Sequence, residues 1–453
     1  MKRKVLNGLT GQLKDQLIRQ ALERRSRRVA QEADGDVEQL PARGDDAGGL
    51  VVPERFCRFD LHPGYQQLRI IQEGAAKLGI ASPFFRVHEA VAGSTSRIAD
   101  RDYLNFASYN YLGLCGDPRV NAAAKQAIDR YGTSVSASRP VSGERPVHGE
   151  LERELAEAHG VGDCVVFVSG HATNVTSIGY LFGPKDLILH DALIHNSALQ
   201  GIQLSGAKRL SFPHNDWRAL DALLARERRH FERVLIIVEG IYSMDGDYPE
   251  LPRFVELKRR HGALLMVDEA HSFGVMGATG MGIAEHFGLD PKDVDIWMGT
   301  LSKALASCGG YIAGEPALVE HLKFAAPGFL YSVGMAPPVA AAALAALRVL
   351  RAEPQRVQDL QARGRYFLHC AREAGLDTGL ATGYAVVPVI TGSSIKAGRL
   401  AEALFRRGIN VPPIVYPAVE EKAARLRFFI SCQHSEEQIR QAVAAVAEEL
   451  QRL

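Results

Sequence analysis

Six cysteines in 453 residues, at 57, 115, 164, 308, 370 and 432, are too few and too scattered for a disulfide framework. No C-x-x-C occurs and no spacing suits a metal, so no metal site is expected and the thiols read as the reduced ones of a cytoplasmic protein. An excess of charge is missing too. Lys+Arg of 53 against Asp+Glu of 52 leaves +1, so no global field recruits nucleic acid or an acidic membrane. Long hydrophobic runs are absent. The longest, 339–347 (VAAAALAAL), is mostly alanine and is followed by Arg348, which predicts a packed helix rather than a membrane span. The basic start, MKRKVLNGLTGQLKD, lacks the continuous apolar core of a secretory signal. What remains is a globular composition, 46% hydrophobic and 23% charged, in a chain long enough for two or three domains.

Charge balances overall but not locally. Residues 1–30 hold nine Lys/Arg against Asp15 and Glu23, a net of +7, and residues 31–50 hold six Asp/Glu against Arg43, a net of −5. Leu9, Leu13, Leu17 and Ala21 recur every four residues in the basic block, so a short amphipathic helix is expected there. The acidic, glycine-bearing stretch after it reads as a linker. Residues 1–50 are thus an extension: a solvated arm, or a docking helix for an acidic partner. We expect an N-terminal segment over 51–105, a large domain over 106–338 and a smaller C-terminal α+β domain over 339–453.

The large domain alternates helical segments with short apolar runs: 164–169, 186–190, 234–239, 263–268, 295–298 and 310–313. Continuous apolar strands spaced by helices predict an α/β fold whose mostly parallel sheet is covered on both faces. In such folds ligands gather at the carboxyl ends of the strands. No G-x-G-x-x-G follows the early strands, which argues against a nicotinamide-binding protein.

The strand ends carry unusual residues. The segment 299–311, GTLSKALASCGGY, sets Lys303 among hydroxyls and glycines just after an apolar strand. A lone lysine is usually a solvated cation, but a buried one loses its proton readily and can form a Schiff base with an aldehyde. At 267–271, VDEAH, Asp268 closes a strand 35 residues earlier. It could merely cap a helix. Alternatively it pairs with a cationic ring nitrogen, and pyridoxal phosphate (PLP) needs such a lysine and such an acid together. His271 could reach the same site and hydrogen-bond the ring's phenolic oxygen. At 169–174, SGHATN, a strand gives way to a helix whose free N–H groups suit an anion, and Thr300 and Ser302 offer hydroxyls to the same phosphate. His195, after the run at 186–190, could stack on a flat ring.

Six collinear stretches extend this. They are 105–113 (NFASYNYLG), 147–152 (VHGELE), 239–246 (EGIYSMDG), VDEAH, TLSK and 424–427 (ARLR). Over about residues 103–431 they resemble the α-oxoamine synthases, PLP enzymes of fold-type I. The resemblance implies a large domain with a mostly parallel seven-stranded sheet and a smaller C-terminal domain. It also implies roles. Lys303 would make the Schiff base, Asp268 would bind the ring nitrogen, and His271 with Ser243 would bind the phenolic oxygen. His195 would stack on the ring. Gly170, His171, Thr300 and Ser302 would hold the phosphate, with Ser332 completing it from a second subunit in a homodimer whose active site lies at the interface. Arg427 would bind the substrate carboxylate, with Asn110 near it. Two positions stand out: His171 replaces a frequent aromatic, and the pair Tyr109-Asn110 is similar to that of serine palmitoyltransferase.

The implied reaction joins a small amino acid (glycine, alanine or serine) to an acyl thioester, releasing CO2 and free thiol and leaving an α-amino ketone. The acyl group would ride on coenzyme A or on an acyl carrier protein. Stretches 302–314 and 327–335 resemble synthases of polyketide assembly lines, which use carrier proteins, and the +7 block would steer an acidic carrier. An aminotransferase of the same fold shares the lysine and the aspartate, and its products would set it apart.

Overall fold

The computed structural model describes residues 52–77 and 79–453, so the helix and linker expected in residues 1–50 lie outside the described residues. The chain divides into two compact units, Met1–Phe85 and Arg86–Leu453. In the first, Pro63 opens the helix Pro63–Lys77 at the position where its missing N–H costs nothing. Tyr65, Leu68 and Ile71 on that helix are exposed.

The second unit begins with an antiparallel hairpin, β1 (Thr95–Ile98) and β2 (Arg101–Asn105). Ala99 and Asp100 form its turn, both at positive φ (48° and 62°), as a tight two-residue connection requires. Seven strands then build the main sheet: β3 (Asp163–Phe167), β4 (Leu187–Asp191), β5 (Lys208–Phe212), β6 (Val234–Glu239), β7 (Leu264–Asp268), β8 (Ile296–Thr300) and β9 (Gly310–Gly314). Their order is β3-β9-β8-β7-β6-β4-β5. From β8 to β5 every neighbour is parallel, and β9 runs antiparallel to both β8 and β3. All six apolar runs of the sequence are strands, displaced by no more than two residues at either end. The expected mostly parallel seven-stranded sheet is present.

Period-two alternation divides each strand between the two faces. Leu187, Leu189, Ile236, Val238, Leu265 and Val267 pack into one apolar core, and Ile188, Leu235, Ile237 and Met266 pack into the other. The helix expected over 339–347 is Pro337–Ala352, and its buried alanines Ala340, Ala343 and Ala346 let it pack on Pro118–Tyr131 and Pro146–His159.

A second antiparallel sheet, β10 (Val386–Ile390), β13 (Arg425–Phe429) and β12 (Pro413–Ile414), lies in the C-terminal third, and β11 (Ile409–Asn410) runs parallel to β2. Here alternation sorts residues by chemistry. Leu426 and Phe428 enter the C-terminal core, whereas Arg425, Arg427 and Phe429 face the opposite way. The closing helix, Glu436–Arg452, starts at a capping box: Ser435 Oγ accepts from Gln438 N at 3.1 Å and Gln438 Oε1 accepts from Ser435 N at 3.0 Å.

Strands β4, β6, β7 and β8 end in Asp191, Glu239, Asp268 and Thr300. Because β9 is reversed, it starts at the edge where β8 ends, and Gly310 pairs with Thr300. Residues 301–309 therefore form a loop pinned at both ends to adjacent strands. Leu301 and Gly309 bond across its neck (2.9 Å), Ser307 N reaches Leu301 O (2.9 Å), and Ser307 Oγ donates to Val339 O (2.6 Å).

Candidate active site

Lys303 occupies that pinned loop, its Nζ 5.7 Å from the centroid of the Tyr109 ring. The dry surroundings press its amine down to about 8, and Arg427 adds to this, while Asp268 and Glu239 pull the other way. At neutral pH a useful fraction is therefore the free amine. Asp268 and Glu239 lie side by side at the ends of β7 and β6, in register. Both are buried. Burial, with Asp268 beside it, holds the Glu239 carboxyl well above its ordinary range, so Glu239 is the neutral member of the pair. Its Oε1 accepts the backbone N–H of His195 at 2.6 Å.

Asp268 is fixed through both oxygens. Oδ1 accepts from Ala270 N (3.0 Å) and Oδ2 from Asn174 Nδ2 (2.9 Å). His271 is buried, with Nδ1 2.8 Å from the hydroxyl of Tyr111. Burial, then Lys303 and Arg427, hold its imidazole well below the ordinary histidine value, so it is neutral. His195 caps the helix Asn196–Ser205 and keeps an exposed surface, and its Nδ1 lies 2.7 Å from Ser197 Oγ.

An anion cradle adjoins these groups. Ser169 Oγ caps Ala172 N at the start of the helix Gly170–Leu181, and the N–H groups of Gly170 and His171 have no partner among the described residues. Thr300 Oγ1 and Ser302 Oγ are 2.7 Å apart. A Cβ on Gly170 would come 2.8 Å from Thr300 Oγ1, and one on Gly310 would come 2.6 Å from the Gly170 Cα, so both glycines are what brings the hydroxyls to the helix start.

Arg427 closes another side. Its Nη1 donates to Ser243 O (3.0 Å), its guanidinium lies 4.6 Å from the Phe429 ring centroid, and its Nε is buried with no partner among the described residues. A buried guanidinium donor without an acceptor suits a carboxylate. Ser243 joins the cluster through its carbonyl. Asn110, by contrast, is turned inward: Oδ1 accepts from Cys115 N (3.0 Å) and Nδ2 donates to Cys115 O (3.4 Å), so the side chain braces its own loop. It is the neighbouring Tyr109, 40% exposed, that meets the site, edge-on to Phe429 (4.8 Å) and to His271 (6.1 Å). The Ser332 hydroxyl donates to Val333 O (3.3 Å) within its own loop. Sequence reading gave no site role to Tyr109, Tyr111, Asn174, Ser197 or Glu239. Tyr109, Tyr111, Glu239 and Asn174 lay inside the quoted stretches, but no sequence signal marked Asn174 or Ser197 as hydrogen-bond partners.

No helix among the described residues is long and apolar enough to cross a membrane, and no group of His, Cys, Asp or Glu among them could hold a metal ion. The aminotransferase class I and II family matches residues 101–446. The chain is 40% identical over 352 residues to the 8-amino-7-oxononanoate synthase of Symbiobacterium thermophilum, covering 78% of this chain and 89% of that protein. It is 40% identical over 357 residues to the enzyme of the same name from Fervidobacterium nodosum, covering 78% and 90%. Among solved structures, Sphingomonas wittichii serine palmitoyltransferase superposes with a TM-score of 0.81 at 30% identity, over 86% of this chain and 97% of that one. A high-resolution serine palmitoyltransferase carrying a PLP internal aldimine gives 0.83 at 28% identity, over 87% and 100%.

Proposed function

The chain belongs to the aminotransferase class I and II family and, within it, to the α-oxoamine synthases, and we propose from this that its amino-acid substrate is glycine, alanine or serine. It is a PLP-dependent C-acyltransferase, and its reaction is a decarboxylative condensation of an amino acid with an acyl thioester. When bound, the cofactor supplies an electron sink for the pair of electrons left on the substrate's Cα.

The residues present suit that group. Lys303, whose amine is partly free of its proton at neutral pH, would hold the cofactor through its aldehyde and would serve the Cα proton as general base. Asp268, immobilised through both oxygens, accepts from the protonated ring nitrogen. The unpartnered N–H groups of Gly170 and His171, with the Thr300 and Ser302 hydroxyls, hold the phosphate, and Ser332 of a partner subunit completes it in a homodimer. His195 would lie on the ring face, and His271, with Ser243, would meet the phenolic oxygen. Arg427 takes the amino-acid carboxylate on its unpartnered Nε. Tyr109, edge-on to both Phe429 and His271, narrows the space for the amino-acid side chain, which favours small ones. Asn110 supports this by holding the Tyr109 loop.

One observation carries the reading: an amine stripped of part of its charge shares a dry cluster with a clamped aspartate and an arginine donor that lacks an acceptor. The acyl group arrives on coenzyme A or on an acidic carrier protein, the latter suited by the +7 of residues 1–30, and the reduced thiols suit a cytoplasmic enzyme. The test supplies each small amino acid with an acyl thioester and measures CO2 and free thiol. Equimolar release of both is expected. Consumption of a keto acid with release of neither would make the protein an aminotransferase instead.

A further inference from the structure

We propose that Asn174 and Ser197 are positioning residues that lock the imidazole of His195 in one neutral tautomer and tie that state to the Asp268 carboxylate. The inference rests on the reading above, in which His195 lies against the cofactor ring and Asp268 meets its nitrogen.

The chain of contacts is continuous. Asn174 is 1% exposed, and its carboxamide nitrogen donates to Asp268 Oδ2 (2.9 Å) and to Ser197 Oγ (2.9 Å). An amide has two N–H donors, and both are engaged. The flipped amide would set its oxygen against a carboxylate, acceptor facing acceptor, so chemistry decides the orientation. Ser197 Oγ therefore accepts from Asn174 and has its own hydrogen left to give. The acceptor within reach is His195 Nδ1, at 2.7 Å. The backbone N–H of Ser197 points at the same nitrogen, 3.3 Å away. Two donors converging on Nδ1 require a lone pair there, which puts the imidazole proton on Nε2. Protonating Nδ1 would displace both donors and leave the serine hydrogen without a partner in a buried position.

A further feature speaks against a merely structural asparagine: its Oδ1 is buried with no partner. Leaving a buried acceptor unpaired is costly. The residue keeps its place for what its two N–H groups do. The consequence is electrostatic. A positive imidazolium against the ring would oppose the ring-nitrogen proton that Asp268 favours, and a neutral one does not. A single amide thus immobilises the carboxylate and, through the serine, keeps the stacked histidine uncharged. The charged or titratable groups that bear on His195 are Asp268, Lys303, His171 and Arg427, with Glu239 on its backbone N–H.

The experiment uses PLP-loaded enzyme with 15N-labelled histidine. In the wild type, His195, assigned by its loss in His195→Asn, should show one pyridine-like nitrogen (Nδ1) and one pyrrole-like nitrogen (Nε2). In Ser197→Ala both signals should move toward values averaged between tautomers. The cofactor absorption should gain a titration step below the ordinary histidine value of about 6.5, because burial still opposes the charged ring. Turnover should fall about tenfold, with the amino-acid KM changed less than about twofold. Asn174→Leu should add a loss of cofactor affinity, and Ser197→Thr, which keeps the hydroxyl, should restore the wild-type pattern. A Ser197→Ala spectrum and titration identical to wild type would overturn the lock. Lys303→Ala separates the two levels. If that variant keeps the wild-type absorption, the site reading fails. If it loses the absorption while Ser197→Ala changes nothing, only the lock fails.

Discussion

The imidazole of His214 lies between two aspartates, Nδ1 2.9 Å from Asp191 and Nε2 2.8 Å from Asp247, and Asn215 donates to both carboxylates. Lys303 lies in the loop that follows β8 of the same sheet. Among the described residues no carboxylate comes within ion-pair distance of its amine. Burial works against the charge in both places, with opposite outcomes. At His214 the two aspartates outweigh it and the pKa rises to about 10, whereas at Lys303 Asp268 and Glu239 do not, and it falls to about 8. Around Lys303, Glu239 and His271 are also driven to their neutral forms, and Arg427 keeps a partnerless donor. In one cluster the buried cation is met by two carboxylates at ion-pair distance, although Asp247 Oδ1 and Asn215 Oδ1 are left without partners among the described residues. The other leaves its amine without an ion-pair partner among the described residues and surrounds it with groups driven to their neutral forms, a pattern that suits a ligand site.

The contrast can be broken by substitution. Lys303→Ala should reduce kcat by on the order of 10³-fold or more while leaving the melting temperature nearly unchanged; steady-state kinetics and calorimetry check both. His214→Ala should do the reverse, costing about 3–5 kcal/mol of stability because it leaves two buried aspartates uncompensated. Its pH dependence has a definite sign. A proton held more tightly in the folded state stabilises fully below the unfolded histidine value of about 6.5 and ceases to as pH passes about 10. The stability difference between wild type and His214→Ala, from urea melts, should therefore shrink between those limits. Growth of the difference with pH would mean that His214 is not the charged member of the triad.

Smaller effects sharpen the comparison. Arg427→Lys should raise the amino-acid KM about 10–100-fold with a lesser change in kcat, since a point charge replaces a bidentate donor. Deleting residues 1–40 should raise the KM for a carrier-bound acyl donor several-fold and leave the coenzyme A donor alone, because a +7 segment steers association rather than chemistry. Equal effects on the two donors would remove the segment from substrate delivery.

Much of the site was legible because chemistry sits where apolar runs stop. Asp268 and Thr300 close strands that are nearly continuous hydrophobic sequence, and such runs can be recognised without their neighbours. β5 was not legible: it is the edge strand, KRLSF, and only Phe212 of it is buried, so it lacks an apolar run. The reversal of β9 was equally silent, since a short apolar strand reads the same in either direction. Asn174, 94 positions before the Asp268 it holds, and Tyr111, 160 before His271, are ordinary residue types whose importance exists only once the chain is folded. Asn110 and Tyr109 show the converse limit. A motif locates a loop, but which of two adjacent side chains turns toward the site depends on hydrogen bonds that the sequence does not display.

The stretch between β8 and β9 bears on repeated turnover. Because its two roots are paired residues of adjacent strands, and Leu301, Ser307 and Gly309 are stitched together across it, its backbone has little freedom to drift. The amine it carries can travel only as far as its own four methylenes allow. A lysine that must let go of one partner, handle a proton and then reclaim its first position is thus leashed to its starting point, and every cycle can begin from the same geometry.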